Sequence, residues 1–153
     1  MARRGEHIEA LERLLRQLTW LERKSLAQEL SYYGVTVPQF YALLPLEKRG
    51  RACSMNELAQ ATQRARATMT GIIDRLVRMG LVERRRKGSD RRVVMVGLTR
   101  RGEQLLEEVR ARRRRGFYKA LEKFDDGEID QLLRFLEALP LALSWEEGDG
   151  KSA

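Results

Sequence analysis

The sequence has 153 residues, 42% hydrophobic and 34% charged, with a formal net charge of +8 and a pI near 10.1. That length fits one domain with a real core, and charge of mixed sign excludes a disordered polyelectrolyte. The single cysteine, Cys53, excludes an internal disulfide framework, and no apolar run approaches the roughly 18 residues of a membrane span.

The charge is unevenly spread. Between Thr62 and Arg101 stand twelve Lys/Arg against three acids (Asp74, Glu83, Asp90), so this segment carries +9 and the remainder about −1. A concentrated basic patch attracts a polyanion, because each neutralised phosphate releases condensed counterions. A solvated basic surface has the same composition, so the surrounding pattern must decide. The basic start Met1-Ala2-Arg3-Arg4-Gly5 leads into an amphipathic pattern rather than a compact apolar stretch. No signal peptide is expected, and the chain reads as cytoplasmic.

In chain order, residues 6–31 read as a long helix. Ile8, Leu11, Leu15 and Leu18 recur at spacings of three and four, with Leu14, Leu21 and Leu26 alongside. Part of this stripe is expected to meet a second copy of the chain; the competing reading is a helix that covers its own domain. Gly34 suits a left-handed helix end. Thr36 and Gln39 form a capping box for the next helix, in which Pro45 is expected to cause a kink or an early stop. Ser54-Met55-Asn56-Glu57 is a second capping box, opening a short helix to about Thr62 with Leu58 and Ala59 inward.

After a turn at Gln63-Arg64, a helix over 66–79 is expected to bury a stripe of Met69, Ile72, Ile73 and Leu76, and stops at Gly80. Its other side offers Arg66, Ala67, Thr68, Thr70, Gly71, Arg75 and Arg78. Small, hydroxylic and cationic side chains there let a helix sit deep in a major groove and contact bases or phosphates. Leu81–Arg84 then reads as a strand and Val93–Val96 as its partner. The turn between them carries Arg85, Arg86, Lys87, Arg91 and Arg92, with Asp90 expected to pair with Arg92 and shape the tip. A cationic hairpin tip suits a backbone or a narrow minor groove. Thr99 caps a helix of about 100–124, Asp125–Glu128 form a break and a new cap, and a last helix over 127–144 is disrupted by Pro140.

The pattern resembles the MarR family of bacterial transcription regulators over nearly its whole length. Glu57-Leu58-Ala59, Thr68-Met69-Thr70, Asp74-Arg75-Leu76, Gly80–Arg84, Asp90-Arg91-Arg92, Leu98-Thr99 and Gly102 carry the resemblance. It implies a mainly α fold with a small β-hairpin wing, in one domain over 1–145 with a tail at 146–153. Within it, a winged lobe at 36–99 (helix-turn-helix 54–79, wing 81–98) lies between dimerisation segments at 6–35 and 100–145. It further implies a homodimer joined through Ile8, Leu11, Leu15, Leu18, Leu132, Leu136 and Leu139. The partner is double-stranded DNA at a pseudo-palindromic site, contacted by Arg64, the helix residues named above, Arg84 and the wing cations. The function implied is repression, released by a small aromatic or phenolic effector. Trp20, Tyr32, Tyr33, Phe40 and Tyr41 are candidates to line its pocket, with core packing as the competing reading.

Two positions depart from the family pattern. The turn reads Thr62-Gln63-Arg64 where a glycine is usual, and Gly71 stands where an arginine is common. Cys53 does not match the N-terminal cysteine of the family's peroxide sensors and reads as an inert thiol. Zinc spacing, a phosphate-cradling glycine loop and a nucleophile–base pair are all missing, so no catalytic residue, cofactor, metal or membrane partner is expected. The alternative function is a basic nucleic-acid-associated structural or RNA-binding protein without operator specificity.

Overall fold

A computed structural model describes residues 2–49, 52–87 and 90–143; for 2, 49, 87, 90–93 and 140–143 the description is of the backbone alone. The chain is mainly helical with one small antiparallel sheet, and it divides into two compact units, Met1–Arg110 and Ala111–Ala153. No described helix is long and apolar enough to cross a membrane.

The first unit opens with α1 (Ala2–Ser31), which begins earlier than the sequence pattern suggests. Only its C-terminal end enters the core, through Leu26 and Leu30. Gly34 takes φ +66° and closes the helix: its amide donates to Ser31 O, and Val35 N–H donates to Leu30 O. This doubly bonded left-handed end buries Val35 against Leu30. α2 (Val37–Arg49) starts at the expected capping box, with Thr36 N–H donating to Gln39 Oε1 at 2.9 Å. Pro45 does not end it. The ring removes only the amide that would bond Tyr41 O, and Ala42, Leu43 and Leu46 hold the helix in the core on both sides.

A strand that the sequence pattern did not reveal follows: β1 (Cys53–Ser54). Two residues are too few for any alternation to show. Next come α3 (Met55–Ala61), α4 (Arg66–Arg78), β2 (Val82–Lys87) and β3 (Asp90–Leu98). The sheet order is β1-β3-β2, with Cys53 paired to Val96 on one side and Arg84 to Val96 on the other. Arg85–Lys87 and Asp90–Arg92, read above as turn, lie in strands. The reason is physical: main-chain pairing extends beyond the buried part of the hairpin, where no face is apolar and period-two patterning fades. Cys53, Val82 and Val96 are buried beneath the helices with Leu58, Met69, Ile73 and Leu76.

α5 (Arg100–Leu121) begins in the first unit and buries Leu105, Leu106 and Val109 there. It ends before the expected residue 124. In the second unit, α6 (Asp126–Leu143) starts at a capping box in which Glu128 N–H donates to Asp125 Oδ1 at 2.8 Å and Asp125 N–H to Glu128 Oε2 at 3.0 Å. The expected disruption at Pro140 does not occur; the helical backbone continues to Leu143. The tail read at 146–153 lies outside the described residues.

Candidate DNA interface

The site is built on a helix that is anchored on one side only. Met69, Ile73 and Leu76 of α4 are fully buried, while Arg66, Ala67, Thr68, Thr70, Gly71, Arg75 and Arg78 are all exposed. A methyl placed at Gly71 would meet nothing within 4 Å, so the face is open there. Thr70 Oγ1 donates to Arg66 O at 3.0 Å, which leaves its oxygen to act toward a ligand as an acceptor.

The turn into α4 solves its missing glycine directly. Gln63 itself adopts the left-handed conformation at φ +51°. Its amide donates to Gln60 O and that of Arg64 to Ala59 O, so α3 ends in the same doubly bonded motif as α1. The Ser54–Glu57 box holds the other end of α3: Ser54 N–H donates to Glu57 Oε2 at 2.7 Å and Glu57 N–H to Ser54 Oγ at 3.3 Å. The helix pair is thus fixed at both its start and its bend. Arg64 is exposed beside the first turn of α4.

The far end of α4 is tied to the wing by one hydroxyl. Gly80, at φ +70°, closes α4, with Leu81 N–H donating to Leu76 O. Thr99 Oγ1 donates to Gly80 O at 2.6 Å and accepts Gly102 N–H at 3.1 Å, while Thr99 N–H donates to Leu81 O. Three elements therefore meet at Thr99: the end of α4, the start of β2 and the cap of α5. Gly102 is forced by this closure, because a Cβ there would lie 2.1 Å from Leu81 O.

The wing cations divide by role. Arg84 Nη2 donates to Asp74 Oδ1 on α4 at 2.5 Å, and Arg85 pairs with Glu83 on its own strand. Both arginines remain partly exposed, but they are engaged within the chain rather than idle. Arg86 is exposed on β2. The side chains of Lys87, Asp90, Arg91 and Arg92 lie outside the described residues, as does the expected Asp90–Arg92 pair. Sequence reasoning missed the Asp74–Arg84 and Glu47–Arg110 ion pairs. The latter joins α2 to α5, with Arg110 Nη2 donating to both carboxylate oxygens. The lone acid on a basic helix was the one available signal for the first; nothing local marks the second. No group of three or more His, Cys, Asp or Glu able to hold a metal occurs among the described residues.

A family model described as MarR family matches residues 33–93. YsmB of Bacillus subtilis, an uncharacterized HTH-type transcriptional regulator, is 34% identical over 124 residues, covering 81% of this chain and 84% of its own. The Escherichia coli transcriptional repressor MprA is 30% identical over 122 residues, 79% of this chain and 69% of its own. The structure of a MarR family protein from Bacillus stearothermophilus superposes with a TM-score of 0.81 at 34% identity, over 92% of this chain and 97% of that one. The chain belongs to the MarR family of transcriptional regulators.

The five aromatic residues considered for an effector pocket have different surroundings in the first unit. Phe40 is in the core, in edge contact with Tyr41 at 6.0 Å between ring centroids. Tyr33 packs half-buried against the core. Tyr32 is on the surface, and Trp20 is exposed with the Lys24 ammonium 4.9 Å from its ring. Tyr41 alone of the five lines a described cavity, an open groove of about 690 Å³ shared with Leu44, Pro45, Lys48 and the 61–64 turn. Of the residues considered for dimerisation, Ile8, Leu11 and Leu18 in the first unit and Leu132 and Leu136 in the second are exposed, and Leu15 and Leu139 are half-buried. Cys53 is buried.

Proposed function

We propose that this MarR family member is a cytoplasmic, homodimeric repressor. It binds a pseudo-palindromic operator in double-stranded DNA through α4 and the β2–β3 wing of each copy. In this division of labour the lobe at 36–99 reads DNA and the segments at 6–35 and 100–145 join the copies. The observation that carries the reading is the two-sided character of α4, rooted in the core by Met69, Ile73 and Leu76 and presenting small, hydroxylic and cationic side chains outward. Such a face fits the major groove, where base edges carry an unambiguous donor and acceptor code. The adjoining wing supplies the cations that set register on the phosphates. The groove beside Tyr41 has a volume suited to a small aromatic or phenolic effector, whose binding shifts the spacing of the two reading lobes only through unequal affinity for the two arrangements.

The test is selection of bound duplex from a random pool, followed by titration of the selected duplex, a shuffled duplex and a structured RNA at one fixed salt concentration. A preference for the selected duplex of about a thousandfold or more is expected of an operator-reading protein. Equal affinity for all three would instead support shape-only nucleic-acid binding.

A further inference from the structure

We infer that Asp74, held by Arg84, is a specificity-determining residue that limits binding to non-operator DNA. The inference rests on the DNA-reading function proposed above. Asp74 stands on α4 four residues after Thr70 and four before Arg78, so the three form one ridge of the helix that faces DNA. It is the one acid of α4. A carboxylate at that place repels phosphates, and its side chain stays 42% exposed.

Arg84 is the counterpart. On β2, residues 82, 84 and 86 share a sheet face, and Val82 of that face is buried. The guanidinium is thereby brought to α4 and donates to Asp74 Oδ1 at 2.5 Å. Two consequences follow from the one contact. The pair fixes the wing strand against the reading helix, and it removes one cation from the sequence-independent attraction to phosphate. Non-operator binding consists almost wholly of that attraction. Operator binding also draws on base contacts, which depend on where the helix sits. The withdrawn cation lowers both affinities alike, whereas the fixed wing supports the base contacts of the operator alone, so the pair widens the ratio between them.

The experiment compares wild type, Asp74→Asn and Arg84→Gln, all as full chains, on the selected operator and on a shuffled duplex across a range of salt. Asp74→Asn frees Arg84 to reach a phosphate. Shuffled-duplex affinity should rise about tenfold at low salt, its log–log salt slope should steepen by about 0.9, and the operator-to-shuffled ratio should fall. Arg84→Gln leaves Asp74 uncompensated beside the duplex. It should weaken both duplexes while leaving the salt slope at the wild-type value. Because the pair is solvent-exposed, both variants should melt close to wild type. An Asp74→Asn protein with the wild-type slope and ratio overturns the inference. So does an Arg84→Gln protein whose slope is shallower by about 0.9, since Arg84 would then already be a phosphate ligand. A wild-type protein with no salt-dependent duplex binding overturns the DNA-reading function itself, and the inference with it.

Discussion

At the scale of single residues, the Leu98-Thr99…Gly102 sequence is a joint between elements. Thr99 bonds three elements with one hydroxyl and one amide, and Gly102 lets the first turn of α5 close over Leu81 O. A backbone carbonyl cannot swing aside as a side chain can. Gly102→Ala is therefore expected to lower stability by about 1–3 kcal/mol, the range for forcing atoms into a packed site. A shift of the urea midpoint at unchanged m-value would check it. Gln63 carries the opposite kind of cost. A side-chain-bearing residue in the left-handed region is disfavoured by roughly 1–2 kcal/mol, and glycine gives back about 0.5–1 of that through the entropy of the unfolded chain. Gln63→Gly should raise the midpoint by the equivalent of about 0.5–1 kcal/mol, with the turn otherwise intact because its bonds are all main chain. A lowered midpoint would mean that the glutamine side chain supports the turn.

At the scale of elements, what the sequence disclosed and what it hid separate along physical lines. α3 and α4 were legible because their caps and stops are written locally, in Ser54, Glu57 and Gly80, and their buried faces recur at helical spacing. β1 and the outer half of the hairpin were not, since main-chain pairing with β3 creates them and no side-chain alternation reports it. The same limit applies to the candidate interface. Its exposed cations could be named from the chain, but Arg84 turns out to be held by Asp74, a pairing across ten residues that only the fold brings together, and Arg85 by Glu83 two residues before it on the same strand. The roles of helix and wing can be separated by measurement. Arg86→Ala, on the exposed part of β2, should weaken operator and shuffled duplex alike and make the salt slope shallower by about 0.9. Thr68→Ala, on the outward face of α4, should keep the slope and narrow the operator preference by about tenfold, the scale of one good base contact. If both variants behave alike, helix and wing do not divide the work in this way.

At the scale of the whole molecule, each unit exposes several large apolar side chains, the kind of surface that marks an interaction site when contiguous. In the first, Ile8, Leu11, Leu14, Leu18 and Leu21 of α1 lie open along the part of the helix that precedes Leu26. In the second, Phe117, Phe124, Leu132, Leu133, Phe135 and Leu136 are all at least 45% exposed, and the described part of α6 has no fully buried residue. Helical periodicity concentrates these side chains on stripes, and a stripe that no part of its own unit covers is the surface the proposed homodimer uses. Leu18→Asp and Leu136→Asp each place a charge on such a stripe without touching the core of the protomer. Each is expected to shift the protein from dimer to monomer in sedimentation velocity at micromolar concentration, with far-UV helicity largely kept. Operator affinity should then collapse toward that of a half-site, because joining two reading lobes supplies the high effective concentration that a single lobe lacks. A monomer that keeps full operator affinity would break the link between these stripes and DNA reading. If both variants sediment as dimers, the copies must meet through some other surface, and the open stripes need a different partner.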